Sequence, residues 1–192
     1  MTELKLELWP NNVLTKKTEK IIVFDDYVSQ LVIDMFQLMY NTGGVGISAP
    51  QASILQSVLV YKVDNREGFL INPEITSKSE KIIISKEGCL SFPGVYIDIE
   101  RAAEVAVSYQ ELDGSQKTLL ADNSIACVIQ HEIDHLNGVV FTQYLSRLKR
   151  DVVNRKMLKF KKYLQRGKDG IKKYGRRQEN RLDRVHIHGE SV

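Results

Sequence analysis

The segment His131-Glu132-Ile133-Asp134-His135 carries the strongest chemical signal in the chain. Two histidines four residues apart on a helix project from one face, one turn apart, so both imidazoles can reach a single ion. Glu132 lies beside them and can handle protons at metal-held water without being a ligand itself. The preceding residues, Ile125-Ala126-Cys127-Val128-Ile129, are apolar nearly all round, which places this helix inside the domain. A buried His or Glu needs a partner there, and a metal supplies one. Catalytic sites of the zinc type use three protein ligands plus a water. Cys89, in Glu87-Gly88-Cys89-Leu90-Ser91, is the natural third candidate. Its glycine neighbour permits close backbone approach, and a thiolate suits a borderline divalent metal. An inert buried cysteine is the competing reading of Cys89. Cys127, on an apolar helix face without polar neighbours, reads as core.

The segment Gly44-Val45-Gly46-Ile47-Ser48-Ala49-Pro50-Gln51 is the other unusual stretch. Two glycines two apart could suggest a phosphate cradle. The dinucleotide pattern, however, needs a third glycine and a preceding strand, and here a helical pattern precedes. An exposed backbone edge, against which an extended peptide could pair, is the better reading. It ends in Gln51, whose amide could donate to a developing oxyanion.

The elements that must position these residues can be read from periodicity. Asp25 to Tyr40 reads as a helix, capped by Asp25 or Asp26, with Val28, Leu31, Val32, Met35, Leu38 and Met39 at helical spacing. Strands are expected over Ser57 to Val63, Gly68 to Ile75, Lys81 to Ser85, Val95 to Ile99, Ala103 to Glu111 and Lys117 to Leu120. Asp113-Gly114 gives a hairpin signal before the last of these. The HExxH helix follows a cap at Asp122, Asn123 or Ser124 and stops at Gly138. A short strand is expected over Val139 to Phe141, then a helix from about Ser146 to Leu164. The pattern predicts an α+β fold, with antiparallel strand-rich sheets around a central HExxH helix and a C-terminal helix. Residues 1–165 form one catalytic domain in this reading, and residues 166–192 a basic, mobile tail.

Charge is distributed unevenly. From Arg147 to the end, 16 Lys/Arg stand against 5 Asp/Glu, although the whole chain carries only +3. Such a segment is either a solvated helix face or an electrostatic handle for nucleic acid or another polyanion. No apolar run reaches the roughly 18 residues of a membrane span. The first residues also lack the apolar stretch of a signal peptide, so a cytoplasmic protein is expected. With only two cysteines, a disulfide framework is not expected.

Three segments together resemble peptide deformylase: GVGISAPQ (Gly44 to Gln51), EGCLS (Glu87 to Ser91) and QHEIDHLNG (Gln130 to Gly138). The resemblance implies a hydrolase that removes the formyl group from formyl-methionyl nascent peptides and releases formate. It implies that Cys89, His131 and His135 hold one divalent metal, natively Fe2+, with Zn2+, Ni2+ or Co2+ as substitutes. By the same resemblance Glu132 is general base and then general acid, and the Gln51 side chain and Leu90 backbone N–H stabilise the oxyanion. Val45 and Gly46 pair with the substrate backbone, Cys127 and Val128 help line a methionine pocket, and Glu87 and Arg101 form a supporting ion pair. A monomer is implied, with ribosomal RNA touched through the basic C-terminal helix and tail. Elementary chemistry agrees, because a bound divalent ion lowers the pKa of its water to near 7. An HExxH zinc peptidase is the main rival, but its third ligand would lie downstream of the helix, whereas Cys89 lies upstream.

Overall fold

A computed structural model describes residues 3–165. The first helix, α1 (Asp26–Thr42), starts where Asp25 accepts a hydrogen bond from the Val28 N–H at 3.2 Å. It ends at Gly43, whose φ of 69° is the left-handed conformation that glycine adopts without penalty. The strands are β1 (Gly46–Ser48), β2 (Val58–Val63), β3 (Arg66–Lys78), β4 (Ile82–Gly88), β5 (Tyr96–Ala102), β6 (Glu104–Gln110) and β7 (Gln116–Asp122). Five of them form an antiparallel sheet in the order β1-β2-β3-β6-β7, and β4 and β5 pair separately. The helix α2 (Asn123–Leu136) carries the HExxH segment, and α3 (Arg147–Gln165) ends the described chain.

Strand β2 shows how the core is organised. Val58 and Val60 pack with Ile47 and the buried face of α1, whereas Leu59 and Tyr61 pack with Ile125, Ile129 and Ile133 of α2. Alternate residues of a strand point to opposite faces, so a strand buried on both sides reads as a continuous apolar run. The five-stranded sheet therefore has a helix on each face. A third core joins the β4–β5 pair to α3, through Cys89, Phe92, Ile97, Phe141, Val153 and Met157. Trp9 stacks on Phe92 with ring centroids 5.3 Å apart, and its indole N–H donates to Asn154 of α3 at 2.8 Å. Lys156 of α3 donates to the Gly94 carbonyl in the β4–β5 connection.

Several expectations change. Val139 to Phe141 is not a strand: Val140 is extended and Phe141–Tyr144 is a 3₁₀ turn. Both Val140 and Phe141 are 1% exposed, so their hydrophobicity is satisfied by side-chain packing in the third core instead of by strand pairing. Strand β3 continues past Ile75 to Lys78, with a register shift between Ile71 and Glu74 where Asn72 adopts a φ of 51°. Asp122 holds the N-cap position of α2 but makes no capping hydrogen bond. Its carboxylate instead pairs with Arg66 at 3.3 Å. Gly138 does follow the end of α2 with a φ of 75°, where a Cβ would lie 2.7 Å from the Thr15 carbonyl oxygen. No helix among the described residues is long and apolar enough to cross a membrane. The tail expected over residues 166–192 lies outside the described residues.

Candidate metal centre

The apolar stripe of α2 faces the sheet, and a second buried side of the helix carries His131 and His135, with Glu132 between the two. The turn that follows β4 brings Cys89 to the helix. The ligand atoms of Cys89, His131 and His135 all lie within 4.8 Å of one another, and all three residues are buried. Cys89 Sγ is 3.2 Å from His135 Nε2. His131 Nδ1 is 2.8 Å from a Glu87 carboxylate oxygen, which leaves Nε2 of that ring to face the cluster.

Glu87 is itself held. Arg101 Nε and Nη2 reach its two oxygens at 2.7 and 3.0 Å, the two-pronged geometry that suits a guanidinium on a carboxylate. Arg101 Nη1 continues to Asp134 at 2.7 Å, and the Tyr144 hydroxyl donates to the same Asp134 oxygen at 2.8 Å. Burial alone would raise the pKa of Glu87, but hydrogen bonds from His131 and Arg101 outweigh it and hold the carboxyl below its ordinary range. Burial likewise opposes a charge on Arg101, yet its pairing with Glu87 and Asp134 keeps the guanidinium firmly protonated.

Gln51 reaches the same cluster from the 3₁₀ turn after β1. Its side-chain oxygen accepts from the Ser48 N–H and the Ser48 hydroxyl, both at 3.0 Å. A backbone N–H can only donate, so it fixes the amide oxygen there and turns the NH2 group inward. That group lies 3.2 Å from the Ser91 hydroxyl oxygen and 3.6 Å from Cys89 Sγ. The turn Cys89-Leu90-Ser91-Phe92 is closed by a bond from the Phe92 N–H to the Cys89 carbonyl. Such a turn does not use the N–H of its second residue, which here is Leu90.

Glu132 is 4% exposed, and one of its carboxylate oxygens has no hydrogen-bond partner. Burial pushes its pKa up to about 7, against the opposing charge of His131. The two imidazoles diverge. His135 is pushed well below the ordinary range, first by burial and then by the charges of His131 and Arg101. His131 also loses by burial, but its contacts with Cys89 and Glu87 raise it well above that range. A cysteine sulfur and two imidazole nitrogens, with a buried carboxylate beside them, form a donor set that fits a divalent transition metal.

A cleft of about 920 Å³ opens over the cluster. Val45, Gly46, Leu90, Cys127 and Val128 line it together with His131 and Glu132. Cys127 is both core, at 6% exposed, and cleft wall. Gly46 is required by close approach: a Cβ there would sit 2.7 Å from a Glu132 oxygen and 2.8 Å from a Val128 methyl. The Lys62 N–H donates to the Val45 carbonyl, which fixes Val45–Lys62 as a hydrogen-bonded pair of the β1–β2 ladder. By alternation, the N–H and carbonyl of Gly46 point away from β2 into the cleft, and β1 is the outermost strand of its sheet.

Residues 4–151 match the family model of polypeptide deformylase. The chain belongs to the polypeptide deformylase family. The peptide deformylase of Agrobacterium fabrum is 42% identical to it over 165 residues, which is 83% of this chain and 96% of that protein. The crystal structure of a peptide deformylase from Legionella pneumophila aligns with a TM-score of 0.80 at 36% identity, covering 86% of this chain and 98% of the other. The Ehrlichia chaffeensis peptide deformylase in complex with actinonin gives 0.78 at 36% identity, over 81% of this chain and 96% of the other. The α+β fold is thus that of the deformylase family, which is metal-dependent, and the Cys/His/His cluster is where a metal fits.

Sequence reading did not find Ser48, Ser91, Asp134 or Tyr144. Ser48 had a usable signal, because a Ser three residues before a Gln is the spacing at which the later side chain reaches back to the earlier N–H. Tyr144 had none, since its hydroxyl meets Asp134 only through the turn after α2.

Proposed function

We propose that this chain is a metal-dependent peptide deformylase, hydrolysing the N-terminal formyl amide of formyl-methionyl nascent peptides and releasing formate. The observation that carries the reading is the convergence of Cys89, His131 and His135 beside a buried carboxylate and an inward-turned amide. Cys89, His131 and His135 hold one metal, Fe2+ natively, with Zn2+, Ni2+ or Co2+ able to replace it. When bound, the ion supplies Lewis acidity and makes a water acidic enough to ionise near neutral pH.

The chain's own residues do the rest. The peptide pairs with the outward N–H and carbonyl of Gly46 as an added strand, which fixes its register beside Val45. The methionine side chain enters between Cys127 and Val128. Glu132 accepts a proton from the attacking water as the oxygen adds to the formyl carbon. The Gln51 NH2 group and the Leu90 N–H donate to the formyl oxygen as it gains negative charge. The carbon–nitrogen bond then breaks, the same proton passes from Glu132 to the departing amine, and formate leaves. The enzyme acts as a cytoplasmic monomer, and the basic face of α3 with the following tail meets ribosomal RNA through phosphate-directed electrostatics.

Formate release from a formyl-Met tripeptide, by protein purified without oxygen, tests this directly. Rapid release supports it. No release by protein holding one metal per chain overturns it. Two substitutions sharpen the assignment. Glu87→Gln removes the charge that orients His131, so metal affinity should fall about 10–100-fold, as chelator competition would show. Gly46→Ala drives a methyl group into Glu132 and Val128 and should cut kcat at least about tenfold, while circular dichroism still reports a folded protein.

A further inference from the structure

Tyr96 stands on the lip of the cleft and is 57% exposed. It is paired in register with Gly88, and its ring lies against that glycine: a Cβ at position 88 would meet ring carbons at 2.8 and 3.1 Å. The ring therefore occupies the space that a side chain at 88 would fill, and both residues line the cleft. Tyr96 makes no hydrogen bond, ion pair or ring contact among the described residues, so nothing there occupies the ring. Lys86, the next residue on the same face of β4, is registered opposite Asp98, and opposite charges facing across a strand pair attract, which leaves little net charge beside the ring. Val45, 55% exposed, lines the same cleft as a further apolar group.

We propose that Tyr96 is a specificity-determining residue that selects a large apolar, preferably aromatic, side chain at the substrate position immediately after the formyl-methionine. The assignment rests on the deformylase reading above. A peptide extended against Gly46 turns alternate side chains to opposite sides. If the first enters between Cys127 and Val128, the second leaves the buried end of the cleft toward its lip, where Gly88 and the Tyr96 ring form the surface. An aromatic side chain laid against that ring gains an offset or edge-on contact, beyond the area it buries.

The test uses formyl-Met-Phe-Ser and formyl-Met-Ala-Ser as paired substrates for the wild-type enzyme, Tyr96→Ala and Tyr96→Phe. The wild type should prefer the Phe peptide about three- to tenfold in kcat/KM, with the difference in KM and not in kcat. Tyr96→Ala should bring that ratio close to one, and Tyr96→Phe should keep it, because the hydroxyl has no partner. A preference that survives Tyr96→Ala, or one absent from the wild type, overturns the assignment while leaving the deformylase reading intact. Collapse of the ratio in Tyr96→Phe as well would place the selectivity in the hydroxyl and overturn the ring contact. Formate release from neither peptide would overturn the underlying reading and this one together.

Discussion

Glu132→Gln is expected to slow formate release by about 10²–10⁴-fold while metal content stays at one ion per chain. The side chain is isosteric and keeps its place beside Gly46, so the cleft is preserved, but an amide cannot accept and return the proton. A loss smaller than tenfold would remove Glu132 from the proton path. The same variant has a signature independent of activity. Burial raises the Glu132 carboxyl from 4.5 to about 7, so the folded state holds this proton more tightly than the unfolded chain. Its stabilising contribution is fully present below pH 4.5 and is lost as the pH rises through about 7. Metal-free wild-type protein should therefore lose on the order of 3 kcal/mol relative to metal-free Glu132→Gln between those limits, as denaturation at pH 4.5 and pH 8 would show. Loading a divalent cation should flatten that slope, since a neighbouring positive charge keeps the carboxylate ionised at lower pH.

Cys89→Ala should weaken metal binding by about 10²-fold or more, and formate release should fall with it. A structural metal site of four ligands is worth about 10–16 kcal/mol, so one ligand accounts for on the order of 3 kcal/mol. Removing the thiolate also leaves the inward NH2 of Gln51 with the Ser91 hydroxyl as its remaining neighbour. Chelator treatment of the wild type should abolish activity, and added Fe2+, Ni2+ or Co2+ should restore it. The same addition should not rescue Cys89→Ala. Metal analysis and formate assays on the two proteins decide the matter. A variant that keeps one ion per chain and full activity would exclude Cys89 as a ligand.

Much of this arrangement was legible in the residues, and the exceptions have physical causes. The helix of His131 and His135 could be read because its spacing, its apolar first half and its glycine stop all point the same way. Cys89 could be proposed as a partner of those histidines, but only tertiary structure brings it to 3.2 Å from His135, across 46 residues of chain. The segment of β1 could be read as an exposed backbone edge but not as a strand, because three residues carry no period. What makes Gly46–Ser48 a strand is pairing with β2. Val139 to Phe141 misled for the opposite reason: β-branched and aromatic residues suit a strand and a packed core equally well. The chain Glu87–Arg101–Asp134–Tyr144 joins four separate elements, and its full set of partners follows from none of them alone.

The shortness of β1 has a consequence for when the enzyme can act. An open sheet edge ordinarily invites pairing with other proteins, including their folded edge strands. Here the edge is three residues long and is walled by α2 and by the β4–β5 connection, a setting that favours a single extended chain over a strand already held about 4.8 Å from its neighbour in a folded sheet. A chain end already paired into its own sheet would have to be pulled free before it could enter. An unpaired chain end is therefore expected to be a better substrate than one already folded. An amino terminus destined for the interior of its own protein has a limited period in which it can be processed, closing when that protein folds.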